Sequence, residues 1–243
     1  NKTIRYHFEI HSGTEVCYYN QWGVQDELNT YYDFQIVPGF STPEWAKGAV
    51  MYQIYVDRFC NGDKTNDVET GEYAYINQQV HRVEDWGRYP QPMDVREFYG
   101  GDLQGVIKKL DYVEYMGFNG IWLMPIMPSP SYHKYDVVDY CAIDEVYGSM
   151  EDFDQLVKEC HDRGINVVID FVINHSSSEH PWFTQACDYL KSLEPGEEPN
   201  VAECPYVDYY HFSREQENST YYKVPETEWY YEGAFWSGMP DLN

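Results

Sequence analysis

The sequence predicts an α/β fold built on a parallel sheet, and three features carry that prediction. The run Ile165-Asn166-Val167-Val168-Ile169-Asp170-Phe171-Val172-Ile173-Asn174, closed by His175, is rich in Val and Ile. It reads as a strand buried on both faces, under helices. Two further apolar runs, Val50–Val56 and Gly120–Met124, alternate with segments of helical spacing, giving the order β-α-β-α-β. Such an order folds into a parallel sheet with right-handed crossovers. Polar residues at the carboxyl ends of these strands stand where α/β sheets and barrels carry their chemistry; a plain core strand with a loop-capping Asn-His is the other reading.

Each element has its own signal. Residues 1–44 alternate apolar and polar, as in Tyr6-His7-Phe8-Glu9-Ile10, and predict short antiparallel strands. Pro38, Gly39 and Pro43 then mark a linker. Leu103, Val106, Ile107, Leu110 and Val113 predict one helix that stops at Gly117. Ser149-Met150-Glu151-Asp152 has the form of a capping box. It opens a helix with Phe153, Leu156, Val157 and Cys160 on one face, ending at Gly164. After His175 the periodicity ends, and residues 176–243 are aromatic, acidic and irregular, a length that usually carries function.

Composition narrows the partners. The formal charge is −25, from 16 Lys+Arg against 41 Asp+Glu, which repels nucleic acid and anionic membranes. No apolar stretch reaches the eighteen or so residues of a membrane span. The start, Asn1–Arg5, shows neither a Met nor a signal-like apolar segment. Six cysteines without a C-x-x-C pair give no disulfide framework, and Cys160 reads as a buried thiol. The compartment stays open, with the acidic surface leaning toward secretion or the cell surface. The 25 Tyr, 11 Phe and 7 Trp offer faces that stack on sugar rings, or simply fill a loop-rich core.

Two loops carry candidate chemistry. Asn61, Asp63, Asn66 and Asp67 place four hard oxygen side chains within seven residues, suited to Ca²⁺ or to an Asx-turn loop without metal. After the second strand, Tyr132-His133-Lys134-Tyr135-Asp136 could position a polar ligand or form a surface turn.

Four segments, in order, resemble the α-amylase family, glycoside hydrolase family 13. They are Tyr52-Gln53-Ile54 through Asp57-Arg58-Phe59 with Asn61-Gly62-Asp63; His133-Lys134-Tyr135-Asp136; Asp170-Phe171-Val172-Ile173-Asn174-His175; and Met239-Pro240-Asp241-Leu242-Asn243. The last is similar to the neopullulanase, cyclomaltodextrinase and maltogenic amylase branch. The resemblance implies the first three strands of a (β/α)8 TIM barrel over residues 45–175. It implies a domain B insertion over 176–243, and before them, in residues 1–44, the C-terminal part of an N-terminal β-sandwich domain.

By resemblance, Tyr135 stacks under the sugar at the cleavage subsite, and His133 and His175 hydrogen-bond its hydroxyls. Asn61, Asp63, Asn66, Asp67, the Gly100 carbonyl and Asp102 match the branch's Ca²⁺ site; Asn174 and Asp241 match a different Ca²⁺ site that this branch often lacks. Asp170 supports loop geometry. The family's nucleophilic Asp and acid/base Glu lie on later strands, so no catalytic residue is expected within these 243 residues, and the piece alone is expected to be inactive. The implied parent is a retaining hydrolase of α-1,4-glucosidic bonds in starch, maltooligosaccharides, cyclodextrins or pullulan. The alternatives are a non-catalytic α-glucan-binding protein and a glycosyltransferase on the same barrel. The implied partners are an α-glucan, the remainder of the barrel and, through the N-terminal domain, a second copy.

Overall fold

The computed structural model describes residues 2–92 and 94–243. It forms two compact units, Asn1–Gly48 and Ala49–Asn243. In the first, β2 (Phe8–Ser12), β3 (Glu15–Asn20) and β4 (Gly23–Gln25) make an antiparallel sheet, and β1 (Ile4–Tyr6) pairs with β5 (Phe34–Ile36). The alternation read from the sequence places Tyr6, Phe8, Tyr19 and Phe34 in one aromatic cluster, with centroids 5.3–6.1 Å apart.

The second unit is organised by three parallel strands. β6 (Met51–Ile54), β11 (Gly120–Leu123) and β12 (Asn166–Ile169) lie in the order β12-β11-β6. Tyr52, Ile121 and Val167 stand side by side across them, as do Ile54, Leu123 and Ile169. Among the described residues three helices accompany the sheet, α1 (Leu103–Lys108), α2 (Leu110–Tyr115) and α3 (Met150–Asp162), and α4 (Pro181–Ser192) packs in a separate core. Leu103, Val106, Leu110, Val113, Leu156 and Cys160 are fully buried, and with Ile54, Ile121 and Leu123 they form the main core. Burial pushes the Cys160 thiol up to about 11, so it is a core atom rather than a nucleophile.

Four expectations change here. The strand is shorter than the run: β12 ends at Ile169, and Asp170 begins the loop that follows it. Nor is the sheet covered on both faces. Helices cover the Tyr52–Ile121–Val167 face, whereas Trp122 on the other face is 39% exposed and Met51 36%. The single helix expected from Leu103 is two, because Lys109 leaves helical geometry at φ −105° and ψ 4°. The apolar spacing survives the break, which is why periodicity did not reveal it. Finally, residues 176–243 are not irregular. They contain α4 and an antiparallel sheet of β13 (Phe212–Ser213), β15 (Tyr230–Glu232) and β14 (Tyr221–Lys223). Their signal was present: His180 caps the helix through Trp182 N–H, Pro181 takes its first turn, and Phe183, Ala186 and Leu190 bury one stripe. These residues join Tyr210, Val224, Trp229 and Tyr231 in burial.

Small strand pairs finish the unit. β7 (Ala74–Tyr75) and β8 (Gln78–Gln79) form a hairpin, and β9 (His81–Arg82) runs parallel to β10 (Glu97–Phe98). The capping box is formed in full: Asp152 N–H donates to Ser149 Oγ at 3.2 Å and Ser149 N–H to Asp152 Oδ2 at 2.7 Å. Ser149→Ala removes one of these bonds, and urea unfolding is expected to show a loss of about 1 kcal/mol; an unchanged midpoint would mean the cap adds nothing.

Candidate functional site

Two loops leave the carboxyl ends of β11 and β12 and meet. The Tyr135 hydroxyl donates to Asp170 Oδ2 at 2.6 Å, immediately beyond β12. His175 Nε2 lies 3.2 Å from the Tyr135 carbonyl. Asn174 Nδ2 lies 3.3 Å from His175 Nδ1, so the consistent tautomer carries its proton on Nε2 and donates it to that carbonyl. Both ring nitrogens of His175 are thus engaged within the protein, and the ring packs edge-on against Phe235 at 5.0 Å. His133 differs. Its Nδ1 accepts Tyr135 N–H at 3.1 Å, which leaves Nε2–H as a donor without a partner among the described residues, on a half-buried ring. Burial lowers the pKa of both histidines, so both are neutral donors near pH 7. Burial, then the bond to Asp170, pushes the Tyr135 hydroxyl up to about 12.

The loop carrying His133 and Tyr135 is held from beneath. Lys134 is 1% exposed and sits at φ 62°, and its ammonium lies 2.7 Å from Asp144 Oδ2 and donates to Ser129 O at 3.0 Å. Asp136, also buried, accepts from Tyr75 OH at 2.7 Å and Ser129 Oγ at 2.6 Å, with Ser131 Oγ as a third donor. Beside this network lies a cleft of about 200 Å³ lined by Tyr75, Asn77, Asp136, Glu179 and Trp236.

The second cluster lies after β6. Asn61 Nδ2 donates to Asp67 Oδ1 at 2.6 Å, and Gly100, at φ 78°, is packed so closely that a Cβ there would come within 2.3 Å of the same oxygen. Among the described residues, Asn61 Oδ1, Asn66 Oδ1 and Asp67 Oδ2 are buried without a hydrogen bond. Asp67 Oδ2 does have Arg82 Nη2 at 2.6 Å, an ion pair without hydrogen-bond geometry. Unpaired buried oxygens cost about 1–3 kcal/mol each, so this arrangement suits a bound cation. Asp63 and Asp102 are occupied differently. Asp63 Oδ1 accepts Thr65 N–H at 2.9 Å and its hydroxyl at 2.7 Å, an Asx turn on the surface. The Asp102 carboxylate accepts Gly62, Asp63 and Gly105 N–H at 2.6–3.0 Å, capping α1 and docking the loop onto it.

Comparison with known proteins bears on these loops directly. Residues 53–243 match the family model for the α-amylase catalytic domain. An amylopullulanase of Thermoanaerobacterium saccharolyticum is 36% identical over 231 residues, covering 85% of this chain and 18% of the relative. An intracellular maltogenic amylase of Bacillus subtilis is 36% identical over 242 residues, covering 98% of this chain and 35% of the relative. In solved structures, Eubacterium rectale Amy13B is 48% identical with a TM-score of 0.63, over 79% of this chain and 31% of its own. The chain belongs to the α-amylase family. It spans about a third or less of these relatives' lengths. Among its curated relatives are a neopullulanase and a cyclomaltodextrinase, members of the branch indicated by Met239-Pro240-Asp241-Leu242-Asn243.

Within this family member the remaining site residues fall as follows. Asn174 and Asp241 are neighbours, with Asn174 Nδ2 3.4 Å from Asp241 Oδ1, and His175 and Asp241 form an antiparallel bridge. Asn174 turns its amide nitrogen toward the carboxylate, and the pair lies at the surface. Sequence reasoning gave no role to Lys134 within its motif and did not single out Asp144 or Ser129; all three are buried. Nor did it give a role to Arg58, whose guanidinium pairs with Asp57 Oδ2 at 2.7 Å and lies over the Tyr99 and Tyr132 rings at 4.2 and 4.7 Å. No spacing rule pairs residues forty or seventy positions apart. A third group, His81, Asp94 and Glu97, has metal-ligand composition. Its carboxylates are already paired, Glu97 with Arg88 at 2.6 Å and Asp94 with Arg96 at 3.1 Å.

Two outcomes are expected. In NMR titration the His133 ring should change charge below pH 6.5, with the neutral form protonated on Nε2. Because its folded pKa is lowered, its contribution to stability is complete above 6.5 and falls as pH drops through the folded value. A midpoint at or above 6.5 would contradict the burial argument. Gly100→Ala should cost about 1–3 kcal/mol in thermal unfolding, from positive φ and the contact with Asp67.

Proposed function

We propose that this chain is the glycone-side part of an α-glucan hydrolase that cleaves α-1,4-glucosidic bonds in starch, maltooligosaccharides, cyclodextrins or pullulan. In this reading β6, β11 and β12 are the first three strands of a (β/α)8 barrel, residues 176–243 are its domain B, and residues 1–44 close an N-terminal β-sandwich. The observation that carries it is the convergence of Tyr135, Asp170, His133 and His175 beyond the carboxyl ends of two adjacent parallel strands.

The roles follow from the geometry. The Tyr135 ring supplies an apolar face for a glucose ring, and its hydroxyl is tethered by Asp170 so that the face keeps its angle. His133 Nε2–H donates to a sugar hydroxyl. His175 holds the Tyr135 backbone, and its Nε2–H reaches a hydroxyl by exchanging the Tyr135 carbonyl for it. The retaining reaction needs two carboxyls about 5–5.5 Å apart across the scissile bond. Those groups belong to later strands; Asp136 and Asp170 are committed to hydroxyl donors and do not replace them.

A Ca²⁺ ion suits the second cluster, where Asn61, Asn66, Asp67 and the Gly100 carbonyl would hold it, while Asp63 and Asp102 fix the loop through their own hydrogen bonds. Bound there it supplies charge that locks the loop and performs no step of the reaction.

The test is a full-length enzyme carrying these residues, assayed on maltooligosaccharides. Release of glucose or maltose with retained anomeric configuration is expected. Binding without turnover would favour a non-catalytic glucan-binding protein. Tyr135→Ala should lower kcat/KM by about tenfold, roughly 1.4 kcal/mol. Chelation by EDTA should lower the melting temperature, since an ion at 100 times its Kd contributes about 2.7 kcal/mol; an unshifted transition would remove the cation from the account.

A further inference from the structure

Arg82 occupies an unusual position for a cation-binding cluster. The parallel pairing of β9 with β10 sets Arg82 opposite Phe98, two residues before Gly100. Its Nη2 then lies 2.6 Å from Asp67 Oδ2, and the Asp67 side chain is 1% exposed. The same guanidinium has two other carboxylates within reach, Glu69 at 3.4 Å and Glu84 at 3.5 Å, both largely exposed. Yet it does not complete the cluster: among the described residues, Asn61 Oδ1 and Asn66 Oδ1 remain buried without a hydrogen bond. The Asn61 amide and the Arg82 guanidinium share the Asp67 carboxylate, one on each oxygen, yet the Asn61 amide oxygen itself takes no donor.

Resting on the cation reading above, we propose that Arg82 is a built-in competitor that sets the affinity of the Asn61–Asn66–Asp67–Gly100 cluster for a divalent cation. Without the ion, Arg82 neutralises the buried Asp67 carboxylate. When the ion arrives, it takes Asp67 Oδ2, and Arg82 falls back on Glu69 and Glu84. The physical basis is simple. One carboxylate oxygen cannot serve a guanidinium and a dication fully at once, and two like charges meeting at a buried oxygen are little screened. A monovalent side chain therefore lowers the affinity for the divalent ion while keeping the ion-free loop folded, because an unpaired buried carboxylate would otherwise destabilise it.

The experiment is calcium titration by calorimetry in the full-length protein, with thermal unfolding in EDTA beside it. Arg82→Gln should bind Ca²⁺ about tenfold or more tightly, and melt lower than the parent in EDTA. Arg82→Lys keeps the charge and should bind as the parent does. Glu69→Gln with Glu84→Gln removes the fall-back partners and should weaken binding severalfold; that effect should shrink in the Arg82→Gln background, the non-additivity expected of coupled residues. If the parent binds Ca²⁺ but Arg82→Gln binds equally or less well, competition is refuted and the cation site stands. Should Arg82→Gln fail to fold, the Glu69/Glu84 variant decides alone, and unchanged affinity there refutes the proposal. No binding to the parent removes both the site and the competitor.

Discussion

Two buried carboxylates hold the functional end of this molecule together. Asp57 accepts the N–H groups of Tyr99 and Gly100, and Asp102 accepts those of Gly62, Asp63 and Gly105. These five bonds dock the loop after β6 against the entrance of α1. Burial raises the pKa of both carboxylates and the bonds to backbone N–H groups counter it. The seam is tight enough that a Cβ on Gly105 would lie 1.7 Å from the Cys60 carbonyl. Removing either carboxylate would leave several buried donors unpaired at once, a loss larger than that of a single exposed bond.

From that seam the rest is placed in sequence. Docking brings Gly100 against Asp67 and Asn61 and so assembles the oxygen cluster. It also sets Arg58 between Tyr99 and Tyr132, so the loop after β6 touches the loop after β11. Tyr132 in turn stands edge-on to His133 at 5.5 Å. The Asn61–Asp67 cluster and the His133–Tyr135 loop are therefore linked through one packed network. Buried polar networks of this kind are specific when fully satisfied; here the hydroxyl and amine donors around Asp136 and Asp144 are paired, and among the described residues three of the four buried oxygens without a hydrogen bond belong to Asn61, Asn66 and Asp67.

Much of this was legible from one-dimensional pattern. Leu103, Val106, Leu110 and Val113 gave the helix stripe, Ser149 and Asp152 the cap, and the three apolar runs the parallel strands in order. The motifs around His133, Asp170 and Asp241 pointed to the family that the comparisons bear out. What escaped was of two kinds. Breaks that keep the apolar period, as at Lys109, leave no trace in it. And α4 was hidden by the aromatic and acidic residues around it, although its cap and first-turn proline were in plain view.

Alone, then, the sequence determined the class of fold, the stripes that build its core, and which loops carry oxygen and imidazole groups, because these depend on local period and residue chemistry. Only the tertiary structure decided which groups stay free. His175 engages the Tyr135 carbonyl and the Asn174 amide and Asp102 engages backbone N–H groups, whereas His133 keeps a donor and Asn61, Asn66 and Asp67 keep oxygens among the described residues. Arg82 reached Asp67 through a strand pairing that no spacing announces. A side chain's availability depends on partners brought from distant segments, and those partners exist only once the chain has closed on itself.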